Sequence, residues 1–223
     1  DHVQLANGLL ALAGAYHDNR QYIEAVSRYK AALKIAVQSQ DQTSQALITR
    51  SLGLTYLWLN DYSEADTWLS HAKDVFEKLR LSNSIQYSDC LIGLAVVASA
   101  RNGAYSEAEK LAQRAVSIDE HLGQAGIQNL IDDLRILADI HRFQRRFSDA
   151  DQVLRRTQQL LQKVSINREF SESKILINSA LLNKAEGKEL KSQESVKRAI
   201  DLIAKRSVKD QIDFVSWLKY HGA

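Results

Sequence analysis

Side chains able to do chemistry are few in this sequence, and they are scattered. The six histidines are His2, His17, His71, His121, His141 and His221. None stands in the His-Glu-x-x-His spacing that would set two imidazoles on one helix face around zinc. Cys90 is the only cysteine, which excludes an internal disulfide and a multi-cysteine metal site. No base neighbours it in sequence to make a nucleophile of its thiol. Asp132-Asp133 reads as a solvated helix face rather than an acid–base couple, and no glycine-rich phosphate loop is present. The expectation is a non-enzymatic chain with no catalytic residues, no metal and no cofactor.

The densest cationic group is Arg142, Arg145, Arg146, Arg155 and Arg156, which could meet phosphates. Asp149 and Asp151 interleave with it, and no series of stacking aromatic residues accompanies it. A solvated or partner-facing patch is therefore favoured over nucleic-acid binding. Residues 1–140 carry 12 Lys/Arg against 17 Asp/Glu, a balance of −5, whereas residues 141–223 carry 17 against 10, a balance of +7. Such polarity can orient a chain on a partner. The longest apolar-rich run, Leu91 to Ala100, falls short of the ~20 residues that span a bilayer. No leader pattern opens the chain, and with the lone cysteine this points to the cytoplasm.

Whatever these residues do, helices must position them. Proline is absent and glycine occurs nine times in 223 residues, so little interrupts long helices. One short pattern recurs: Gln21-Tyr22-Ile23-Glu24-Ala25, Asp61-Tyr62-Ser63-Glu64-Ala65, Ala104-Tyr105-Ser106-Glu107-Ala108 and Arg146-Phe147-Ser148-Asp149-Ala150. The aromatic residues stand 40, 43 and 42 apart. Seven residues, two helical turns, beyond each Ala comes another small or short residue: Ala32, Ala72, Ala115 and Thr157. Asp61 and Glu64 have the spacing of a capping box. A second amphipathic segment precedes each pattern, with Leu12-Ala13 and Tyr16, Leu52-Gly53 and Tyr56, and Leu137-Ala138 with His141 in the place of the Tyr. In the third copy, Ile92 to Ala100, the register is ambiguous by one residue. A degenerate fifth copy continues through Ala180, Gly187, Val196 and Ala199, with Glu189 in place of the aromatic residue and Ser192 in place of the first Ala.

This pattern resembles the tetratricopeptide repeat. Leu52-Gly53, Tyr56, Tyr62, Ala65 and Ala72 carry its whole signature, and the period of 40–43 residues is similar to the long-repeat class of kinesin light chains, Rap-type phosphatases and bacterial regulators. The resemblance implies an all-α, right-handed superhelical solenoid forming one domain over 1–223. Its repeats would lie near 6–45, 46–88, 89–130, 131–172 and 173–207, with a terminal helix at 208–220. It also implies a concave groove lined by the first helix of each repeat. Helical spacing then nominates Asn7, His17, Arg50, Leu54, Trp58, Asp132, Arg135, Asp139, Arg142, Phe143 and Asn178 as groove residues. The Lys and Asn of the chaperone-tail clamp are missing, with Leu10, Gly14 and Ser51 at those places. The expected role is a protein–protein interaction module, a scaffold or adaptor holding a peptide or partner helix. The alternative is a ligand- or peptide-sensing domain of a larger signalling protein. End-to-end self-association stays open, and no membrane contact is expected.

Overall fold

The computed structural model describes residues 2–164 and 168–220; His221 lies outside the described residues. Those residues form eleven α-helices, one 3₁₀ turn and no strand. The helices are α1 (His2–Asp18), α2 (Tyr22–Gln38), α3 (Gln42–Trp58), α4 (Tyr62–Lys78), α5 (Ile85–Asn102), α6 (Tyr105–His121), α7 (Ile127–Phe143), α8 (Phe147–Leu161), α9 (Arg168–Ala185), α10 (Glu189–Ala204) and α11 (Val208–Tyr220). Two compact units divide the chain, 1–119 and 120–223. Within the first, α1/α2 and α3/α4 pair as hairpins and α5 packs on both α3 and α4; within the second, α7/α8 and α9/α10 pair and α9 also packs on α7 and α8.

The small residues explain the close helix approach. Ala25, Ala32, Ala65, Ala72, Ala108, Ala115 and Thr157 have no exposed surface, and Ala150 keeps 1%. Between them Tyr29, Leu69 and Leu154 fill the contact. Leu69 sits in a notch cut by two glycines: a Cβ on Gly53 of α3 would fall 2.5 Å from its Cγ, and one on Gly93 of α5 2.7 Å from its Cδ1. The third copy resolves its own register. The burial pattern of Leu94–Val97 matches that of Leu52–Thr55 when Ala95 takes the place of Gly53, so α5 runs one residue longer before Tyr105. In the degenerate fifth copy, Ser192 stands where the others have Ala, and its hydroxyl donates to the Ala180 carbonyl at 2.9 Å.

Hairpins close without Gly-Pro turns. After α1, α2, α3, α4 and α7 a non-glycine residue takes φ between 55° and 61°: Arg20, Gln40, Asn60, Arg80 and Arg145. The next amide then reaches back to close the last turn, as in Asp61 N–H to Tyr56 O at 3.0 Å and Arg146 N–H to His141 O at 2.9 Å. After α9 the same place is Gly187, φ 76°. The capping box forms only halfway: Asp61 accepts from the Glu64 amide at 3.1 Å, but the Glu64 carboxylate accepts from Trp68 Nε1 instead, at 2.9 Å.

Candidate functional site

The groove residues named from sequence lie on the first helices, and most are engaged with a residue about one repeat away. In the 1–119 unit, His17 Nδ1 on α1 lies 3.1 Å from Thr55 Oγ1 on α3. Thr55 gives its hydroxyl proton to the Ser51 carbonyl at 2.7 Å, which leaves Oγ1 to accept from His17 Nδ1–H. Burial holds His17 below its ordinary pKa, with Asp18 opposing, so the ring is neutral there. Arg50 on α3 pairs with Asp89 on α5, both half-buried. One turn on, Leu54 lies against the backbone notch at Gly93. Trp58 is not a free anchor: it stacks on Tyr22 with centroids 5.9 Å apart, and Tyr22 meets His17 edge-on at 5.3 Å. Asn7 is exposed. Cys90, beside Asp89, is fully buried and its thiol is pushed up to about 12 by burial, although Arg50 acts in the opposite direction. It is chemically quiet.

In the 120–223 unit five nominated residues converge in one network between α7 and α9. Arg135, 3% exposed, donates from Nε to Asn178 Oδ1 at 3.0 Å and from Nη1 to Asp132 at 2.7 Å. Asn178 Nδ2 donates to Asp139 at 2.6 Å, and Arg142 Nε donates to the other Asp139 oxygen at 3.1 Å. Lys174 Nζ closes the set on Asp132 at 3.0 Å. Burial raises the Asp132 pKa, but Lys174 and Arg135 outweigh it and hold the group at about 2. For Asp139 burial wins, and its carboxyl is raised despite Arg142 and Arg135. Burial likewise lowers Lys174 against the pull of Asp132. Arg135 and Asp139 stand four apart, the spacing of a pair on one helix face. The two instead communicate through Asn178, 43 residues on from Arg135.

Two residues escaped the sequence reading here. They are Lys174 of α9 and Trp217 of α11. The Trp217 ring covers the Arg135 guanidinium, with the carbon 4.8 Å from the centroid. A Trp 82 residues away announces itself by no local spacing. Phe143, at the end of α7, remains 48% exposed with the Arg142 guanidinium over it at 4.2 Å.

The arginine cluster is largely neutralised by acids. Arg142 pairs with Asp139, Arg146 with Asp149 at 2.7 Å, Arg155 with Asp151 at 2.7 Å, and Arg156 with Glu120. Among the described residues no group of three His, Cys, Asp or Glu could hold a metal ion, and no helix is long and apolar enough to cross a membrane. On the second-helix side, a cavity of about 360 Å³ is lined by α4, α5 and α6, with Arg101 and Asp66 pairing at 2.8 Å on its lining.

Comparison with known proteins agrees with this architecture. Residues 44–121 match the sequence model of the tetratricopeptide repeat family. No curated protein matches the chain. BtubC (BKLC) from P. vanneervenii superimposes with a TM-score of 0.73 at 19% identity, over 91% of this chain and 81% of that one. The nearly identical TPR-like repeats named for a Podosopora anserina kinesin light chain superimpose with a TM-score of 0.68 at 20% identity, over 93% of this chain and 99% of that one. At such identity the likeness speaks for the fold alone. The tetratricopeptide-repeat sequence is thus matched over residues 44–121, and the helix-hairpin fold of such repeats is shared over nearly the whole length.

Proposed function

We propose that the chain is a non-enzymatic interaction module whose first-helix faces hold a peptide or a partner helix. Tetratricopeptide repeats in general mediate protein–protein contact; the finer assignment to these faces is our reading. The observation that carries it is the α3–α5 face of the 1–119 unit. There the half-buried Arg50–Asp89 pair stands one helical turn from the part-exposed Leu54. A guanidinium that keeps 22% of its side-chain surface beside an apolar step suits a segment with a carboxylate flanked by an aliphatic residue. A single short segment would bind near ~1 μM.

Peptide display against the whole purified chain tests this. Arg50→Glu sets a second carboxylate against Asp89 and reverses the charge of the face. Selected peptides should bear an acidic and an aliphatic residue and lose at least tenfold in affinity for that variant. Peptides that bind both chains equally, with helicity matched by circular dichroism, would remove the first-helix face of α3 and α5 from the proposal.

A further inference from the structure

Part of the face formed by α7 and α9 is covered by α11. α11 turns Phe214 and Trp217 inward, three residues apart and so neighbours on one side of the helix. Trp217 lies on Arg135 of α7. Phe214 stacks on Trp217 at 6.0 Å and meets Phe170 of α9 edge-on at 6.3 Å, and Phe170 carries the Lys174 ammonium over its own ring at 5.1 Å. The opposite side of α11 is bare: Val208, Ile212 and Val215 are 70%, 51% and 50% exposed. Among its described side chains only Phe214 and Trp217 are buried, whereas α7 buries nine residues and α9 eight. Among the described residues the ties of α11 include these two rings and those at its start, where Ser207 caps the Asp210 amide at 3.2 Å and Arg206 bridges Asp210 and Glu169.

We propose that α11 is a resident occupant of the α7–α9 face, holding in cis the place that a partner's helix with an aromatic pair three residues apart would take. This rests on the reading that first-helix faces are binding surfaces. Two features favour an exchangeable occupant over a fixed cap. Arg135 has its own carboxylate and amide partners in Asp132 and Asn178, so lifting Trp217 leaves no unpaired buried charge behind. The ring-on-cation and ring-on-ring contacts of Trp217 and Phe214 are ones that an aromatic pair of the same spacing reproduces. Binding to this face is then gated: the partner must outcompete a tethered helix at high effective concentration.

The test uses the whole chain and a dye-labelled peptide of residues 208–220 as probe. In the variant carrying Phe214→Ala and Trp217→Ala, trypsin should cut at Lys205, Arg206 and Lys209 at least tenfold faster than in wild type, with helicity otherwise retained. The same variant should take up the peptide in trans at least tenfold more tightly than wild type, and a peptide with Trp217→Ala should bind it at least tenfold more weakly. If the variant does not fold, hydrogen exchange on wild type decides: α11 amides should exchange at least tenfold faster than those of α9. Equal protection of α11 and α9, or undiminished protection of the trypsin sites in the folded variant, makes α11 a fixed part of the fold and overturns the proposal. A released α11 with no peptide bound in trans overturns it too, by removing this face as a binding surface. Failure of either kind leaves the Arg50 dependence of display peptides untouched, so the wider reading is judged separately.

Discussion

Adding one methyl group at each of three helical glycines should give three different outcomes, because the space around them differs. At Gly53 a Cβ would lie 2.5 Å from Leu69 Cγ, 2.9 Å from Cδ2 and 3.0 Å from the Leu69 backbone nitrogen. Leu69 cannot swing away, since it has no exposed surface and its Cδ1 is already wedged under Gly93. Relieving a 2.5 Å contact means moving α4 off α3 by the better part of an ångström. Such overpacking costs about 1–3 kcal/mol, against about 0.5–1 kcal/mol gained by replacing a helical glycine with Ala. Gly53→Ala should therefore destabilise by about 1–2 kcal/mol. Gly14→Ala meets nothing within 4 Å and should stabilise by about 0.5–1 kcal/mol. Gly93→Ala meets side-chain ends, closest Leu69 Cδ1 at 2.7 Å, and no backbone atom, and should fall between. Urea unfolding followed by circular dichroism measures all three, and a shift of this size moves the midpoint by roughly 0.5–1 M. The cause is separable. In a Leu69→Ala background, itself about 2–5 kcal/mol less stable, Gly53→Ala should turn favourable. A Gly53→Ala chain as stable as Gly14→Ala, or one whose cost survives Leu69→Ala, would refute the notch.

Other measurements bear on the turns, the thiol and the buried network. Arg80 and Arg145 hold φ of 59° and 60°, a region that costs an L-residue about 1–2 kcal/mol and glycine almost nothing. After glycine's extra unfolded-state entropy, Arg80→Gly and Arg145→Gly should each stabilise by about 0.5–1 kcal/mol, raising Tm by about 1–4 °C; lower melting temperatures would contradict the turn geometry. The Cys90 thiol, buried and raised to about 12, should resist an aromatic disulfide reagent at pH 8 until urea opens α5; stoichiometric labelling within minutes in native buffer would oppose this. Asp132, held at about 2 against its ordinary 3.8, binds a proton less readily folded than unfolded. Its stabilising contribution is whole above about pH 4 and is lost as pH falls through 2. Asp139, raised by burial, has the opposite sign, and acid relieves it. Asp132→Asn should thus be less stable than wild type at pH 7 yet flatter between pH 4 and 2; an unchanged acid limb would show that the Lys174–Arg135 pairing contributes nothing.

What the sequence made legible is what repeats. Ala25, Ala65, Ala108 and Ala150 mark the inner face because a helix–helix contact admits only small side chains there, and that constraint recurs in register. The turns were opaque for the same kind of reason. Arg20, Gln40, Asn60, Arg80 and Arg145 share a backbone conformation but no residue type, so no composition signal marks them; only Gly187 carries the glycine that the conformation prefers. The register of the third copy was ambiguous because Leu91 to Ala95 are all apolar or small, and the run of burial over Leu94 to Val97 is what fixes it.

Which helix carries each nominated residue was legible in the sequence; what each one is paired with was not. Helical spacing says which residues look away from the hairpin core. It cannot say whether that face is free, because its partners lie a whole repeat away or farther. Arg50 and Arg135 illustrate the difference. Both stand on first helices and both are paired, yet Arg50 keeps 22% of its side-chain surface and Arg135 only 3%. The contrast comes from Asn178 and Trp217, which sequence places 43 and 82 residues beyond Arg135. It also decides how the two can be probed. Reversing the charge at Arg50 alters an accessible pair and reads binding. Reversing it at Arg135 would bury an anion among Asp132, Asp139 and Asn178, which costs folding before it can report on a partner. A groove mutant chosen from helical spacing alone would therefore mistake an unfolded unit for a lost interaction, and Arg50 is the position at which the two can be told apart.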